Sequence, residues 1–344
     1  MTQTRNIETV LRDACWLAHR FDPAADAIQF RLVDRVAHAK ATFLTDEYLG
    51  EEPDPVVIKR AEAVAGAPEP AAAHFIFHSA FCCSTLLARA FDLPGLSMGL
   101  KEPVILNDIV GWRHRGAAGR DIAEALDNSL KLLARPFSPG EATIIKPSNI
   151  ANGLAPAIMG LRPASRALLL RAPLPVFLKS VAKKGMWGRL WVRDLLGKQL
   201  REGFVDLGFE QGDYLGLTDL QAAAVGWLAQ QALFARMIAQ FGAERVRTLD
   251  SETLLDNPDA SIDRLAELFG ISIDADGRKA IIDGPGFAND SKTGTAFSRN
   301  TRDAQYDEAM RQHQDEIEKV TVWAEAVAAN AGITLSSSSA ALIS

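Results

Sequence analysis

Residues 74 to 92 set the strongest limit on what this chain can fold into. His74-Phe75-Ile76-Phe77 is a short apolar strand, the residues from Ser79 to Ser84 are small apart from Phe81, and an amphipathic helix follows from about Ser84. This is the layout of a phosphate cradle. Small residues let backbone N–H groups converge, while the helix aims its positive end and the hydroxyls of Ser84 and Thr85 at the same point. An anion is the natural occupant, held by Ser79, Cys82, Cys83, Ser84 and Thr85; a strand-to-helix turn without a ligand is the alternative.

The rest of the core alternates in the same way. After the strand 75–78 and the helix 84–92 come an apolar segment ending at Lys101-Glu102-Pro103, a helix near 104–112 and a periodic helix from Asp121 to Ala134. Thr143-Ile144-Ile145 and Ala167-Leu168-Leu169-Leu170 make two more strands. Short continuous apolar strands separated by helices predict an α/β fold, a parallel sheet covered by helices on both faces. Ligands of such sheets bind beyond the carboxyl ends of the strands. That rule singles out the loop 78–85, Lys101-Glu102, Lys146-Pro147-Ser148 and Arg171.

Farther along, Thr218 to Gly242 reads as a long helix with Leu220, Trp227 and Phe234 in the core and Gly242 as its C-terminal cap. A strand at Val246 leads to a helix that opens on Asn257-Pro258 and stops at Gly270, and a charged helix runs from about 303 to Asn330. Upstream, the spacing predicts a helix from Ile7 to His19, a strand from Ala27 to Val33, a helix from about Ala37 to Thr45 and a short helix after Pro55. Gly66-Ala-Pro-Glu-Pro70 then punctuates the chain. The expected organisation is an N-terminal appendage over 1–70, a P-loop-type domain over 71–335 and a frayed tail over 336–344.

With 48% hydrophobic residues, 23% charged residues and 344 residues in all, the chain has the make-up of an ordinary globular protein. A net charge of −6 argues against nucleic acid or an anionic membrane as the main partner. The three cysteines, Cys15 and the vicinal Cys82-Cys83, form no disulfide framework and point to a reducing cytoplasm. The N-terminus lacks a basic segment followed by an apolar core, and no run of about 18 apolar residues follows. Neither a Walker A motif, a Gly-x-Ser-x-Gly elbow nor a Gly-x-Gly-x-x-Gly fingerprint occurs, which disfavours ordinary ATPases, hydrolases and dehydrogenases. His74, His78, Cys82 and Cys83 lie close in sequence, yet vicinal cysteines strain a shared metal and no Cys-x-x-Cys accompanies the histidine pair, so no metal is expected.

The strand, loop and Ser-Thr-Leu-Leu helix start resemble the 5′-phosphosulfate loop of the sulfotransferase superfamily, which usually reads Pro-Lys/Arg-Ser-Gly-Thr-Thr. Ala80, Phe81, Cys82, Cys83, Ser84 and Thr85 take those six places, so both hydroxyls match while Phe81 replaces the cation and Cys83 the glycine. A second segment is similar too: an acidic residue and leucines before Asn257-Pro258-Asp259, then a helix ending at Phe269-Gly270. The resemblance runs from about 74 to 300. It implies transfer of a sulfuryl group from 3′-phosphoadenosine 5′-phosphosulfate to a hydroxyl or amine of a small acceptor.

In that family an arginine after a strand, a serine about eight residues later and a basic C-terminal loop hold the donor's 3′-phosphate. Arg171, with Lys179 and Ser180 eight and nine residues on, and Lys292 within Gly286–Arg299 take those places here. Arginine suits the task because its guanidinium is a rigid fork for a phosphate. Where many members have Lys-Thr-His, this chain has Lys146-Pro147-Ser148, without the histidine. Glu102 resembles the glutamate base of other members, and Lys146 the residue that neutralises charge on the bridging oxygen. A phosphotransferase using another nucleotide, and a non-catalytic nucleotide sensor with the same fold, are the rival readings.

Overall fold

The computed structural model describes residues 6–52, 54–288, 299–335 and 340–343. Five strands form a parallel sheet in the order β5-β6-β4-β7-β8: β4 is Ala73–His78, β5 Ser97–Lys101, β6 Ala142–Lys146, β7 Ala167–Arg171 and β8 Val246–Asp250. All six residues of β4 are buried, as are all five of β5, which is the burial expected of strands covered on both faces. A smaller antiparallel sheet, β1-β2-β3, precedes it, made of Trp16–Asp22, Ala27–Leu32 and Val56–Lys59. The chain divides into two compact units: residues 1–77, 85–167 and 266–274 make one, and 78–84, 168–265 and 275–344 the other.

In the first unit β6 pairs with both β4 and β5, in register from Ala73 opposite Thr143 and from Ser97 opposite Ala142. The helix Ser84–Ala90 packs against β5 at Gly99, where any Cβ would run into the carbonyl oxygen of Ala88. Glycine here fixes how closely the helix behind the loop approaches the sheet. The helices Ile105–His114 and Gly119–Leu133 match their expected spans within two residues.

The N-terminal segment departs from the expected helix, strand, helix. The helix that starts at Ile7 stops at Arg12, because the Asp13 carboxylate accepts from Cys15 N at 2.8 Å and turns the chain into β1. Its last carbonyls are taken by the buried guanidinium of Arg135, which donates to Val10 O and Leu11 O at 2.9 Å and also to Trp16 O. A partner more than 100 positions away leaves no trace in local spacing. The helix expected over 37–45 is Arg35–Lys40, capped by Asp34, and Val56–Lys59 is a strand where the first turn of a helix was expected.

In the second unit the long helix is Asp219–Phe241. Thr218 and Gln221 form a reciprocal capping box at its start, and Gly242 with φ 76° ends it. Trp227 is buried in the core, as its spacing predicts, and its Nε1 donates to Ala172 O at 3.0 Å. The helix Arg299–Asn330 follows the segment 289–298.

Candidate functional site

The loop 78–84 has a backbone that its sequence makes costly. Ala80 (φ 70°), Phe81 (φ 51°) and Cys83 (φ 64°) all sit in the left-handed region, and none is glycine. At about 1–2 kcal/mol per residue, this conformation costs about 3–6 kcal/mol. Compensation comes from the anchors. Ser79 N donates to Leu170 O at 3.0 Å, Ser79 Oγ accepts from Ala172 N at 3.2 Å, and Cys82 Sγ lies 3.5 Å from Leu170 O. His78 Nδ1 accepts from Ala80 N at 3.1 Å. The loop is thus tied along the end of β7.

These bonds divide the expected loop ligands by role. Ser79 and the buried Cys82 spend their polar groups on anchoring the loop. Cys83 is half-buried and stands at φ 64°, the place where glycine is the ordinary choice. Ser84 and Thr85 are buried at the start of Ser84–Ala90. Phe81 packs its ring 5.8 Å from Phe177 and 5.2 Å from Trp191. A cation stands nearby all the same: Lys184 Nζ is 5.7 Å from the centre of the Phe81 ring and 5.3 Å from that of Trp187.

Arg171 closes β7 and donates from Nη1 to Leu335 O at 2.6 Å and to Gln231 Oε1 at 3.4 Å, with Asp250 4.0 Å from its Nε. Burial pulls the guanidinium below its ordinary pKa, and Asp250 opposes the shift. Beside it, Gln231 Nε2 is buried without a hydrogen-bond partner among the described residues. The sequence reading missed Gln231, whose helical spacing marks it only as one more inward position. Ser180 Oγ donates to Val176 O and lies 2.9 Å from the Tyr306 hydroxyl. Lys292 lies outside the described residues.

Glu102 and Lys146 meet in the first unit. Lys146, with a side chain only 1% exposed, forms an ion pair with Glu102, and Glu102 N donates to Lys146 O at 2.7 Å. Glu102 stands at φ 52°, a further left-handed non-glycine residue. The Lys146 ammonium rests 4.8 Å from the centre of the Phe43 ring, which meets Tyr48 edge-on at 5.1 Å. Leu44 N donates to Lys101 O at 2.7 Å and Leu44 O accepts from Val104 N at 3.1 Å, so the segment 43–48 is stitched to both sides of the Glu102 turn. Local spacing carries no sign of this, because the contact joins residues about 60 positions apart. Lys101, adjacent to Glu102, turns inward and donates to His38 O and Ala39 O; burial lowers its pKa to about 8. His74 accepts from Arg166 N at 3.1 Å and stacks on Phe269, a structural role.

Among the described residues no helix is long and apolar enough to cross a membrane. No family model matches the sequence, and no curated protein matches it either. Solved structures do. A sulfotransferase from Mycobacterium avium is 13% identical over 73% of this chain and 79% of its own, with a TM-score of 0.42. The sulfotransferase domain of a Synechococcus olefin synthase is 15% identical over 70% of this chain and 88% of its own, at 0.40. The sulfotransferase domain from the curacin biosynthetic pathway is 12% identical over 72% of this chain and 99% of its own, at 0.41.

Proposed function

We propose that this chain transfers a sulfuryl group from 3′-phosphoadenosine 5′-phosphosulfate to a hydroxyl or amine of a small acceptor, in the cytoplasm, through residues 71–335. The observation that carries the reading is the loop 78–84: three left-handed non-glycine residues held in place at the end of a parallel strand and leading into Ser84 and Thr85. Strain of that size persists where the surroundings over-determine it, and such sites cluster where ligands are clamped. The backbone N–H groups of the loop with Ser84 and Thr85 hold the 5′-phosphosulfate. Lys184 supplies a positive charge near the loop, in place of the cation that Phe81 displaces. Arg171, Ser180 and Lys292 hold the 3′-phosphate, and the orphaned Gln231 amide adds one more donor beside Arg171. Glu102 takes the proton from the attacking acceptor and Lys146 stabilises developing negative charge.

A thermal shift with nucleotides tests the reading. Adenosine 3′,5′-bisphosphate stabilises the protein far more than ADP or GDP, by about 2.7 kcal/mol at a hundredfold excess over Kd. Arg171→Ala erases most of the preference. A larger shift with ATP and magnesium selects the phosphotransferase instead. The non-catalytic reading draws on Phe81 in place of the loop cation and Ser148 in place of the histidine, and on the capture of Arg171 by Leu335 O. It predicts no shift with any of these nucleotides in nucleotide-free protein.

A further inference from the structure

The net charge of −6 conceals an asymmetry along the chain. Residues 142–193 contain nine basic residues and no acidic one, and six of the nine, from Arg171 to Arg193, belong to the second unit. Three of these six meet carboxylates: Arg171 stands 4.0 Å from Asp250, Arg189 pairs with Glu316 and Asp219, and Arg193 pairs with Asp219. The other three are Lys179, Lys183 and Lys184. Lys183 and Lys184 are exposed side by side where the helix Leu174–Lys183 ends.

Gly185, at φ 57°, leads the chain straight into the helix Gly185–Arg201. Its first turns present Met186, Trp187 and Leu190 to solvent, 70%, 58% and 60% exposed. Farther along, the outward arc is mostly charged or small, with Arg193, Asp194, Gly197 and Arg201, while Val192, Leu195 and Leu196 are buried on the inner side. The exposed apolar side chains are therefore gathered at a tip beside two lysines. Trp187 stacks on Trp191 with ring centres 6.2 Å apart, and Trp191 meets Phe81 edge-on, so the tip has a fixed aromatic base.

Three apolar side chains fall far short of the roughly 20–30 residues a side of a stable protein interface, in which lysine is also depleted. An anionic bilayer asks for less. Tryptophan settles at headgroup level, a few aliphatic side chains enter the acyl boundary, and lysine stems lie along apolar surface while their ammonium groups meet lipid phosphates. We propose that the tip 183–190 docks this protein onto an anionic lipid bilayer, with Met186, Trp187 and Leu190 entering the interface and Lys183, with Lys184 beside it, facing the phosphates.

Cosedimentation of the full chain with vesicles at low salt tests this, with equal parts of phosphatidylglycerol and phosphatidylcholine in one set and phosphatidylcholine alone in the other. The chain partitions onto the anionic set at least tenfold more strongly. Met186→Ser with Leu190→Ser weakens that partition at least tenfold at unchanged charge, and because both side chains are exposed the melting temperature stays that of the parent. Lys183→Glu weakens it about fivefold or more. Leu215→Ser, at a position 86% exposed elsewhere on the same unit, leaves it unchanged. Vesicle binding needs no nucleotide, so the outcome is independent of the donor reading. No partition onto anionic vesicles, equal partition onto phosphatidylcholine, or full partition in the Met186→Ser, Leu190→Ser protein overturns the assignment. So does dimerisation in vesicle-free buffer that this double variant abolishes, which would give the tip to a second copy of the chain.

Discussion

Lowering the pH from 7.5 to 5 favours the unfolded form of the first unit through two buried histidines, which together cost it about 4 kcal/mol. His38 is 2% exposed, both its ring nitrogens lack a hydrogen-bond partner among the described residues, and burial, with Lys101 and Arg35 adding to it, pulls its pKa to about 3. His74 is brought to about 4 by burial and then by Arg166. Unfolded histidine titrates near 6.5, so below that pH the unfolded chain binds protons that the folded chain refuses, and stability falls. Both folded values lie below 5, so the loss down to pH 5 is set by the unfolded value. Each histidine contributes RT ln[(1 + 10^1.5)/(1 + 10^−1)], or about 2 kcal/mol. His19, also lowered by burial, acts in the same direction. Asp92 and Asp250, raised by burial, act in the opposite one, which is why a variant is needed to isolate the histidines. Urea unfolding followed by tryptophan fluorescence at pH steps reads the slope, and His38→Leu removes about half of the pH-dependent loss. A His38→Leu slope equal to that of the parent refutes the assignment.

Gly99→Ala forces the helix Ser84–Ala90 off β5 and costs about 1–3 kcal/mol in thermal or urea unfolding; an unchanged midpoint would show that the helix yields freely. Cys83→Gly relieves a left-handed residue and raises stability by about 0.5–1 kcal/mol, read from the melting temperature. Once an acceptor is in hand, Glu102→Gln lowers turnover by about a hundredfold with donor affinity kept, and a fully active variant removes Glu102 from the chemistry.

The parallel core was legible because its signals are local. Strands such as Phe75-Ile76-Phe77 and Leu168-Leu169-Leu170 are continuous apolar runs, and the helix after Thr218 announces itself through its cap and its closing glycine. The N-terminal sheet was not. Ile7, Val10 and Leu11 have helical spacing, but the helix is cut short by the Asp13 turn and by Arg135 reaching back across the chain. β3 hid behind Pro55, and only its pairing with β2 makes Val56–Lys59 a strand.

Within the candidate site the same division holds between what is local and what is not. Position after a strand located Glu102, Lys146 and Arg171, and the strand–loop–helix pattern located the loop itself. Spacing could not say that Ser79 and Cys82 would face inward as anchors while Phe81 met Trp191 and Lys184, since those partners lie about 90 to 110 positions away. Nor could it place Phe43 beneath Lys146 or the Gln231 amide beside Arg171. Cys83, at φ 64°, is locally unfit for the tight turn it makes. The structure supplies the missing reason: the bonds to Leu170 and Ala172 hold the loop in a shape that glycine would adopt unaided, so the fold, rather than the residue at that position, fixes the backbone there.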